Sequence, residues 1–232
     1  MNICVTGGAG FIGSHLVDRL IELGHDVLVI DNLSTGMRSF VHEDAQFIEM
    51  DVRDPKLLSV FEEFKPSIVF HEAAQTMVQS SMENPSYDCD VNLIGLINVL
   101  DACRKVNVEQ FLMPSSAAVY GDLAVLPLTE DLSGMPSSFY GLTKLTAEGY
   151  LRIYHEAFGL NTVCFRYANV YGPRQGDGGE GGVISIFNRL IVEGQPLTVF
   201  GDGEQTRDFI YVDDVVDANI KAMGNGQCTG IY

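Results

Sequence analysis

The chain has 232 residues, enough to bury a substantial core in one large domain or in one domain and a smaller lobe. Hydrophobic residues make up 46% of the sequence, and 24 glycines stand beside only 8 prolines, which favours a globular α/β protein over a disordered one. The formal net charge of −17 argues against a nucleic-acid partner or an anionic membrane surface, because both would repel the chain.

The cysteines are scattered, odd in number and without the spacing of a metal site; they are Cys4, Cys89, Cys103, Cys164 and Cys228. Neither a disulfide framework nor a metal site is expected, and a reducing cytoplasm fits best. The first residues run directly into an apolar strand, so no signal peptide is expected. No run approaches the ~20 apolar residues of a membrane span, so no span is expected either.

The first predicted strand is followed at once by a glycine-rich turn and then by a helix predicted at 14–23. The turn has the spacing G-x-x-G-x-x-G, with Gly7, Gly10, Phe11, Ile12 and Gly13. Glycines at this spacing allow a tight turn, a close approach of the backbone to a pyrophosphate, and a helix N-terminus that presents free amides to the anion. This segment therefore predicts a dinucleotide ligand.

The second strand, predicted at 26–30, ends in Asp31, which lies 18 residues after Gly13. A carboxylate there can accept hydrogen bonds from the adenosine ribose, and it would repel a 2′-phosphate. No basic residue follows directly, because Asn32 comes next. The sequence therefore favours NAD over NADP.

Strands and helices then alternate at intervals of about 20 to 30 residues, which is typical of a parallel, doubly wound sheet. A third strand is predicted at 46–50 and leads to Asp51 and Val52, where contacts to the adenine are expected. A helix at 55–64 and a fourth strand at 67–70 follow.

The fourth strand ends in the sequence HEAAQ, at the edge where ligands bind in such sheets. Small residues there let a cofactor approach the backbone, so Ala73, Ala74 and Gln75 are candidate cofactor contacts. His71 is expected to be a structural histidine. Glu72 is costly to bury unless its carboxylate is paired or reaches solvent.

A long helix predicted at 84–106 contains Asn92, and a fifth strand is predicted at 110–113. Pro114 comes next and lacks the amide that a ladder bond needs, which leaves the geometry just before Ser116 open. A serine at the carboxyl end of a central strand can hydrogen-bond a reacting hydroxyl, so Ser116 is a candidate catalytic residue.

The helix predicted at 137–159 carries Tyr140 and Lys144 on one face, because residues four apart lie one above the other. A phenol with an ordinary pKa near ~10 is a poor base at neutral pH, but a nearby ammonium favours its ionised form. A tyrosine tuned in this way can take a proton from a substrate hydroxyl while a hydride leaves the same carbon.

Seven segments carry a wider resemblance: TGGAGFIGSHL, DNLSTG, HEAAQ, SSAAVYGD, YGLTK, RYANVYGPRQ and GDGEQTRDFIYVDD. In this order they resemble the extended short-chain dehydrogenase/reductase family, and within it the nucleotide-sugar 4-epimerases of the UDP-glucose/UDP-galactose type. The resemblance covers essentially the whole chain. It implies an α/β fold with a Rossmann-type doubly wound parallel sheet, a bound NAD, a UDP-hexose substrate and a homodimer paired through a four-helix bundle.

The resemblance also implies roles for individual residues. Tyr140 would be the acid–base residue, and Lys144 would hold the nicotinamide ribose and tune Tyr140. Ser116 would hydrogen-bond the sugar 4-hydroxyl, Asn92 would support the cofactor site, and Tyr167 would lie against the nicotinamide.

The resemblance also implies that Asn169 and Arg207 would contact the substrate diphosphate. For Arg207 this is chemically reasonable, because a planar guanidinium suits paired phosphate oxygens. The NAD-binding domain is predicted at 1–166. Residues 167–232 would begin a smaller substrate-binding lobe, with elements that return to the first domain, and this lobe would be incomplete because relatives continue further. Its predicted elements are a glycine-rich loop at 172–182, helices at 183–193 and 213–223, extended pieces at 196–200 and 209–212, and the start of a strand at 230–232.

The resemblance thus implies an NAD-dependent nucleotide-sugar 4-epimerase that interconverts UDP-glucose and UDP-galactose. A sugar 4,6-dehydratase is disfavoured, because Ala117 and Ala118 stand where such relatives carry an acidic pair. An epimerase for UDP-glucuronate or a UDP-N-acetylhexosamine, a UDP-glucuronate decarboxylase, and a non-catalytic NAD-binding protein on the same fold remain as alternatives.

Overall fold

The computed structural model describes residues 1–176 and 182–232, so part of the glycine-rich loop predicted at 172–182 lies outside the described residues. The described chain contains nine strands: β1 (Asn2–Thr6), β2 (Asp26–Asp31), β3 (Gln46–Glu49), β4 (Ile68–His71), β5 (Gln110–Ser116), β6 (Asn161–Tyr167), β7 (Asn169–Tyr171), β8 (Phe209–Tyr211) and β9 (Gly230–Ile231). Its α-helices are α1 (Phe11–Glu22), α2 (Leu57–Phe64), α3 (Val78–Glu83), α4 (Pro85–Cys89), α5 (Leu96–Val106), α6 (Phe139–Phe158), α7 (Val183–Val192) and α8 (Val212–Ala222).

Seven strands form one parallel sheet in the order β3–β2–β1–β4–β5–β6–β9. The strand order reverses between β1 and β4, so the crossover connections diverge there and leave a crevice at the carboxyl ends of these two strands. The predicted Rossmann-type doubly wound sheet is therefore confirmed. β7 and β8 pair with each other in a separate two-stranded sheet.

Helices cover both faces of the main sheet, and each face has its own hydrophobic core. On one face Cys4 and Ile30 pack with residues of α2, α5 and α6. On the other face Ile3 and Val5 pack with residues of α1 and α8. Successive side chains of a strand point to opposite faces, so a sheet buried on both sides needs the continuous apolar runs seen in the sequence.

The helix that carries Tyr140, predicted at 137–159, extends from Phe139 to Phe158. The Ser138 hydroxyl accepts a hydrogen bond from the Gly141 amide at 3.1 Å, which satisfies one of the amides left free in the first turn. At the other end Gly159 has a φ of +73°, the left-handed conformation that commonly ends a helix. α1 begins at Phe11, three residues before the predicted start, because Gly10 is its N-cap.

Several elements differ from the sequence predictions, and β6 and β7 were not predicted. The helix predicted at 84–106 is interrupted by a π-helical turn, Asp90–Gly95, between α4 and α5. α3 was not predicted, and the predicted extended piece at 196–200 is not part of a strand. β5, predicted to end at residue 113, continues through Pro114 to Ser116. Its pairing with β4 ends at Leu112, but it pairs with β6 over its whole length, which keeps the strand extended.

Among the described residues, no helix combines the length and the apolar character needed to cross a membrane.

Candidate active site

The crevice at the carboxyl ends of β1 and β4 is part of a cavity of about 470 Å³. Most of the predicted site residues line it: Gly7, Gly10, Phe11, Ile12, Gly13, Asp31, Asn32, Asp51, Val52, Ala73, Ala74, Gln75, Ser116, Tyr140, Lys144 and Tyr167. These segments are distant in sequence, and they meet because parallel strands bring their carboxyl ends to one edge of the sheet.

Gly7 and Gly13, at the junction of β1 and α1, have no room for a side chain. A Cβ atom at Gly13 would lie 2.2 Å from the Gly7 carbonyl oxygen, and one at Gly7 would lie 2.5 Å from the Ala73 nitrogen. Gly7 also has a φ of +73°. The close turn brings the N-terminus of α1 to the cavity wall, and because the first amides of a helix have no partner within it, this end suits an anionic pyrophosphate.

Asp31, at the end of β2, is held firmly in the cavity wall. One of its carboxylate oxygens accepts a hydrogen bond from the Ala9 amide at 3.0 Å, and the other accepts one from the Leu33 amide at 2.8 Å. A carboxylate has further lone pairs for ribose hydroxyls, and its charge disfavours a 2′-phosphate.

Beside Asp31, a small polar network surrounds Asp51. The side-chain amide of Asn32 donates to one Asp51 oxygen at 2.8 Å. The guanidinium of Arg53 donates to both Asp51 oxygens, at 2.8 and 2.7 Å. These hydrogen bonds from Arg53 hold the pKa of Asp51 well below its ordinary value. Arg53 also bonds to Asp90, at the start of the π-helical turn, at 2.5 Å. Nothing in the sequence pattern singled out Arg53.

Tyr140, Lys144 and Ser116 line the same cavity. Lys144 is only 5% exposed, and its ammonium donates to the Pro114 carbonyl oxygen at 3.0 Å and lies 5.9 Å from the centre of the Tyr140 ring. A Cβ at Gly141 would lie 2.5 Å from the Ala118 carbonyl oxygen, so α6 approaches the segment after Ser116 closely. The Ser116 hydroxyl accepts a hydrogen bond from the Ala118 amide at 3.1 Å.

A buried ion pair lies behind Ser116. Glu148 of α6 accepts hydrogen bonds from Arg166 of β6 at 3.0 and 2.8 Å, and from the Ser115 hydroxyl at 2.5 Å. Arg166 also donates to the Tyr120 hydroxyl at 2.9 Å. This network ties α6 to β5 and β6, which are the elements that carry the candidate catalytic residues.

Asn92 lies behind the cavity wall. Its side-chain oxygen accepts from the Gln75 amide at 2.8 Å, and its side-chain nitrogen donates to the Gln75 carbonyl oxygen at 2.9 Å. Asn92 belongs to the π-helical turn, which interrupts the regular helical hydrogen bonds next to the site. It therefore fixes the backbone of the segment that follows β4.

Glu72 and His71 occupy the end of β4 and have different environments. As predicted, His71 is structural: its Nδ1 lies 2.7 Å from the Thr6 hydroxyl, and burial lowers its pKa to about 3. Glu72 lines the cavity, and its Oε1 atom is sealed from solvent without a hydrogen-bond partner among the described residues. Burial raises the pKa of this carboxyl to about 7, and the charge of Lys144 opposes the rise.

Tyr167 lines the cavity at the end of β6. Its hydroxyl accepts a hydrogen bond from the Asn219 amide of α8 at 2.6 Å. Burial raises its pKa well above the ordinary value, so Tyr167 is a neutral phenol in this structure.

The other two predicted residues lie outside the cavity lining. Asn169 is exposed in β7, and its side-chain nitrogen donates to the Asp208 carbonyl oxygen at 2.9 Å. Arg207 is exposed in the segment before β8 and donates to the Thr206 carbonyl oxygen at 2.7 Å. Their roles toward a substrate stay predictions.

Several lining residues were not expected from the sequence, among them Ser34, Thr35, Met50 and Gln175. Ser34 and Thr35 belong to the segment DNLSTG, and Gln175 ends RYANVYGPRQ, so each lies in a motif without having been singled out. Across the described residues, no cluster of three or more His, Cys, Asp or Glu side chains could hold a metal ion.

The cavity fits a dinucleotide. It combines a turn in which Cβ atoms would collide with backbone, a helix N-terminus for the pyrophosphate, and a carboxylate for the ribose. The cavity also contains the Tyr140 phenol, with the buried Lys144 ammonium 5.9 Å from its ring centre. The fold and this site define a class of protein, the NAD-binding enzymes that move a hydride and a proton.

Comparisons with known proteins identify the family. Residues 3–232 match the model of the NAD dependent epimerase/dehydratase family. The crystal structure of the UDP-glucose 4-epimerase of Thermotoga maritima with UDP-glucose is 44% identical, with a TM-score of 0.94, and the match covers 97% of this chain and 74% of that one.

Two other solved structures are similar over nearly the whole chain. The UDP-glucose 4-epimerase of Thermus thermophilus, in complex with NAD, is 41% identical with a TM-score of 0.94, and the match covers 100% of this chain and 76% of that one. The UDP-N-acetylglucosamine 4-epimerase of Methanobrevibacter ruminantium is 38% identical with a TM-score of 0.94, at 99% and 74% coverage. The chain belongs to the NAD dependent epimerase/dehydratase family, and it is an isomerase of the nucleotide-sugar epimerase type with NAD as its cofactor.

Proposed function

We propose that the protein interconverts UDP-glucose and UDP-galactose through a transient 4-keto sugar. The observation that carries the proposal is that Ser116, Tyr140 and Lys144 line the same cavity as the glycine turn and Asp31. The similarity to enzymes named UDP-glucose 4-epimerase supports the choice of sugar.

In this mechanism Tyr140, as a phenolate, takes the proton of the sugar 4-hydroxyl, and the ammonium of Lys144 favours the ionised phenol. Ser116 hydrogen-bonds the same hydroxyl and orients it. Bound NAD supplies the hydride acceptor and donor for C4 of the sugar. After the 4-keto sugar has turned in the site, the hydride returns to the opposite face of C4, which inverts that carbon, and Tyr140 returns its proton to the 4-oxygen.

Each part of the cofactor is proposed to contact a different group of the predicted residues. The pyrophosphate is assigned to the glycine turn, the adenosine ribose to Asp31 and Asn32, and the adenine to Asp51 and Val52. The nicotinamide half is assigned to Ala73, Ala74, Gln75, Tyr140, Lys144 and Tyr167, and Asn92 is proposed to support this half through its hydrogen bonds to the Gln75 backbone. Asn169 and Arg207 are proposed to bind the substrate diphosphate, which would anchor the nucleotide while the sugar turns.

Replacing Tyr140 with phenylalanine tests the catalytic assignment. Tyr140→Phe removes the ionisable hydroxyl and should lower turnover by about 10²–10⁴-fold, the usual contribution of a general acid–base group, while the protein stays folded and retains NAD. Tyr150→Phe is the matched control, because Tyr150 is exposed on the same helix. Turnover of Tyr140→Phe at the wild-type rate would refute the assignment.

A second substrate has specific support. The similarity to a UDP-N-acetylglucosamine 4-epimerase has the same TM-score as the similarity to the UDP-glucose enzymes. Both reactions use the same groups at C4, so the chemical step alone does not distinguish the two sugars. The ratio of the kcat/KM values for UDP-glucose and UDP-N-acetylglucosamine shows which sugar the enzyme prefers. A kcat/KM that is higher for the acetamido sugar would reassign the substrate and keep the mechanism.

We also propose that residues 1–166 form the NAD-binding domain and that residues 167–232 begin the substrate-binding lobe. The enzyme is proposed to work in the cytoplasm.

We propose that the enzyme is a homodimer. Exposed apolar side chains on two neighbouring helical segments support pairing through a four-helix bundle: Ile94, Phe139, Leu142 and Ile153. Sedimentation equilibrium of the NAD-loaded protein should give twice the monomer mass, and a monomer at micromolar concentration would contradict the dimer.

A further inference from the structure

The Asp51 carboxylate in the cavity wall is held by an arginine that stands outside the cavity lining. Asp51 is one of the lining residues, and the described residues that line the cavity do not include Arg53. The backbone amide and Nε of Arg53 donate to one Asp51 oxygen at 2.9 and 2.8 Å, and a terminal guanidinium nitrogen donates to the other oxygen at 2.7 Å. The guanidinium therefore grips the carboxylate as a fork and fixes the positions of both oxygens.

Arg53 is itself fixed by two further contacts. Its other terminal nitrogen donates to an Asp90 carboxylate oxygen at 2.5 Å, across 37 positions of the chain. The guanidinium also lies 5.7 Å from the centre of the Tyr87 ring. A guanidinium that is bonded to two carboxylates and packed beside a ring has little freedom to rotate, so the Asp51 carboxylate has little freedom either.

The hydrogen bond from Asn32 to Asp51 is the one that a ligand can replace. The side-chain amide of Asn32 donates at 2.8 Å, and Asn32 is exposed and lines the cavity. An ionised carboxylate has about four lone pairs, so the donors of Arg53 and Asn32 together fill it. A ligand donor therefore reaches Asp51 by displacing the Asn32 amide. The hydrogen bonds from Arg53 hold the pKa of Asp51 well below its ordinary value, which keeps the carboxylate an acceptor.

We propose that Arg53 is a positioning residue that makes the cofactor site selective for adenine. This inference rests on the proposed function, which assigns the adenine to Asp51 and Val52. The exocyclic amine of adenine donates a hydrogen bond, whereas hypoxanthine has a carbonyl oxygen at that place and an N–H on the neighbouring ring nitrogen. A carboxylate in a fixed position accepts from the amine and repels the carbonyl oxygen. A carboxylate that is free to move can shift to the neighbouring N–H, so the selectivity depends on the fork.

The selectivity can be measured as a ratio that depends neither on turnover nor on the amount of folded protein. The NAD-loaded protein is equilibrated with an equimolar excess of NAD and nicotinamide hypoxanthine dinucleotide until longer incubation no longer changes the result. The dinucleotides that stay bound after gel filtration are then separated by chromatography. We expect the wild type to retain NAD in at least about tenfold excess, because the analogue places a carbonyl oxygen against a charged acceptor.

Arg53→Lys and Arg53→Leu both remove the fork, and lysine keeps the positive charge. We expect both variants to lower the preference for NAD by about 5–10-fold, because an ammonium cannot hold both carboxylate oxygens in place. Arg104→Lys is the matched control, since Arg104 also pairs with a carboxylate, Asp101 at 3.6 Å, and lies 4.7 Å from the centre of the Phe158 ring. A purely structural role of Arg53 would lower the retention of both dinucleotides equally and leave their ratio unchanged.

Asp51→Asn separates this inference from the proposed function. The new side-chain amide can donate to the carbonyl oxygen of hypoxanthine, so the preference for NAD should be lost. A changed ratio in Asp51→Asn together with the wild-type ratio in either folded Arg53 variant would overturn the role of Arg53 and keep the adenine assignment. An unchanged ratio in Asp51→Asn, or a wild type without preference for NAD, would overturn both. An equal loss of preference in Arg104→Lys would also overturn the role of Arg53.

Discussion

Burial of the Glu72 carboxyl makes the stability of the fold depend on pH. Its pKa is raised to about 7 from an ordinary value of 4.5. Between these pH values the folded state binds the proton more tightly than the unfolded state does. The contribution of Glu72 to the free energy of unfolding therefore falls as the pH rises from about 4.5 to about 7 and stays low above that range.

Glu72→Leu should therefore stabilise the protein more at pH 8 than at pH 5. At pH 8 the substitution removes the charge of a half-buried carboxyl, and the gain in the free energy of unfolding should reach up to about 3 kcal/mol. At pH 5 the wild-type carboxyl is already neutral, so most of this gain should disappear. Urea denaturation at the two pH values measures the difference, and a gain that is independent of pH would contradict the buried position of this carboxyl.

At the scale of helices and strands, a pair of glycine-to-alanine substitutions tests the close contact between α1 and the turn before it. Gly13 lies at that contact, and Gly149 is the matched control in another helix. Gly13→Ala, in α1, brings a Cβ within 2.2 Å of the Gly7 carbonyl oxygen, and backbone atoms cannot easily move away. It should destabilise the fold by about 1–3 kcal/mol and weaken NAD retention, because the turn must open. Gly149→Ala, in α6, meets no atom within 4 Å and should stabilise the fold by about 0.5–1 kcal/mol.

Thermal unfolding and the NAD content after gel filtration check this pair. If Gly13→Ala kept both the wild-type stability and the bound NAD, the close turn would not be needed for either. The Gly149→Ala variant separates this effect from the general effect of adding a methyl group to a helix.

The regular elements were largely predictable, because local patterns determine them. The strands β1, β2 and β4 are apolar runs that lie between turn residues, and α6 has a serine cap and a final glycine. Their observed bounds agree with the predictions to within one or two residues. The parallel direction of the strands follows from the alternation of strands and helices, because each helix returns the chain to the same end of the sheet.

The elements that were missed depend on tertiary contacts. α3 has no strong sequence signal, and the Ser81 hydroxyl in it accepts from the Tyr140 amide at 3.1 Å, so α6 supports it. The π-helical turn places Asn92 against the backbone of Gln75, a contact between residues 17 positions apart. β5 continues through Pro114 because β6 pairs with it beyond the end of β4.

At the scale of the whole molecule, the site forms where the carboxyl ends of the parallel strands meet at one edge of the sheet. The sequence predicted sixteen residues that line one cavity, because motif spacing identifies segments that meet at strand ends. It did not predict that Glu72 would be unpaired or that Arg53 would join Asp51 to Asp90, since these contacts depend on side-chain packing across segments. The charges around the site were therefore less predictable than its position.

The central claim is that one cavity with a retained cofactor inverts C4 of a UDP-hexose. The most direct measurement is to incubate the purified protein with UDP-glucose, without added NAD, and to resolve the products by proton NMR. The account predicts that UDP-galactose appears and approaches a constant ratio to UDP-glucose from either starting sugar. If neither UDP-glucose nor UDP-galactose were converted by NAD-loaded protein, the proposed 4-epimerisation of these sugars would be contradicted.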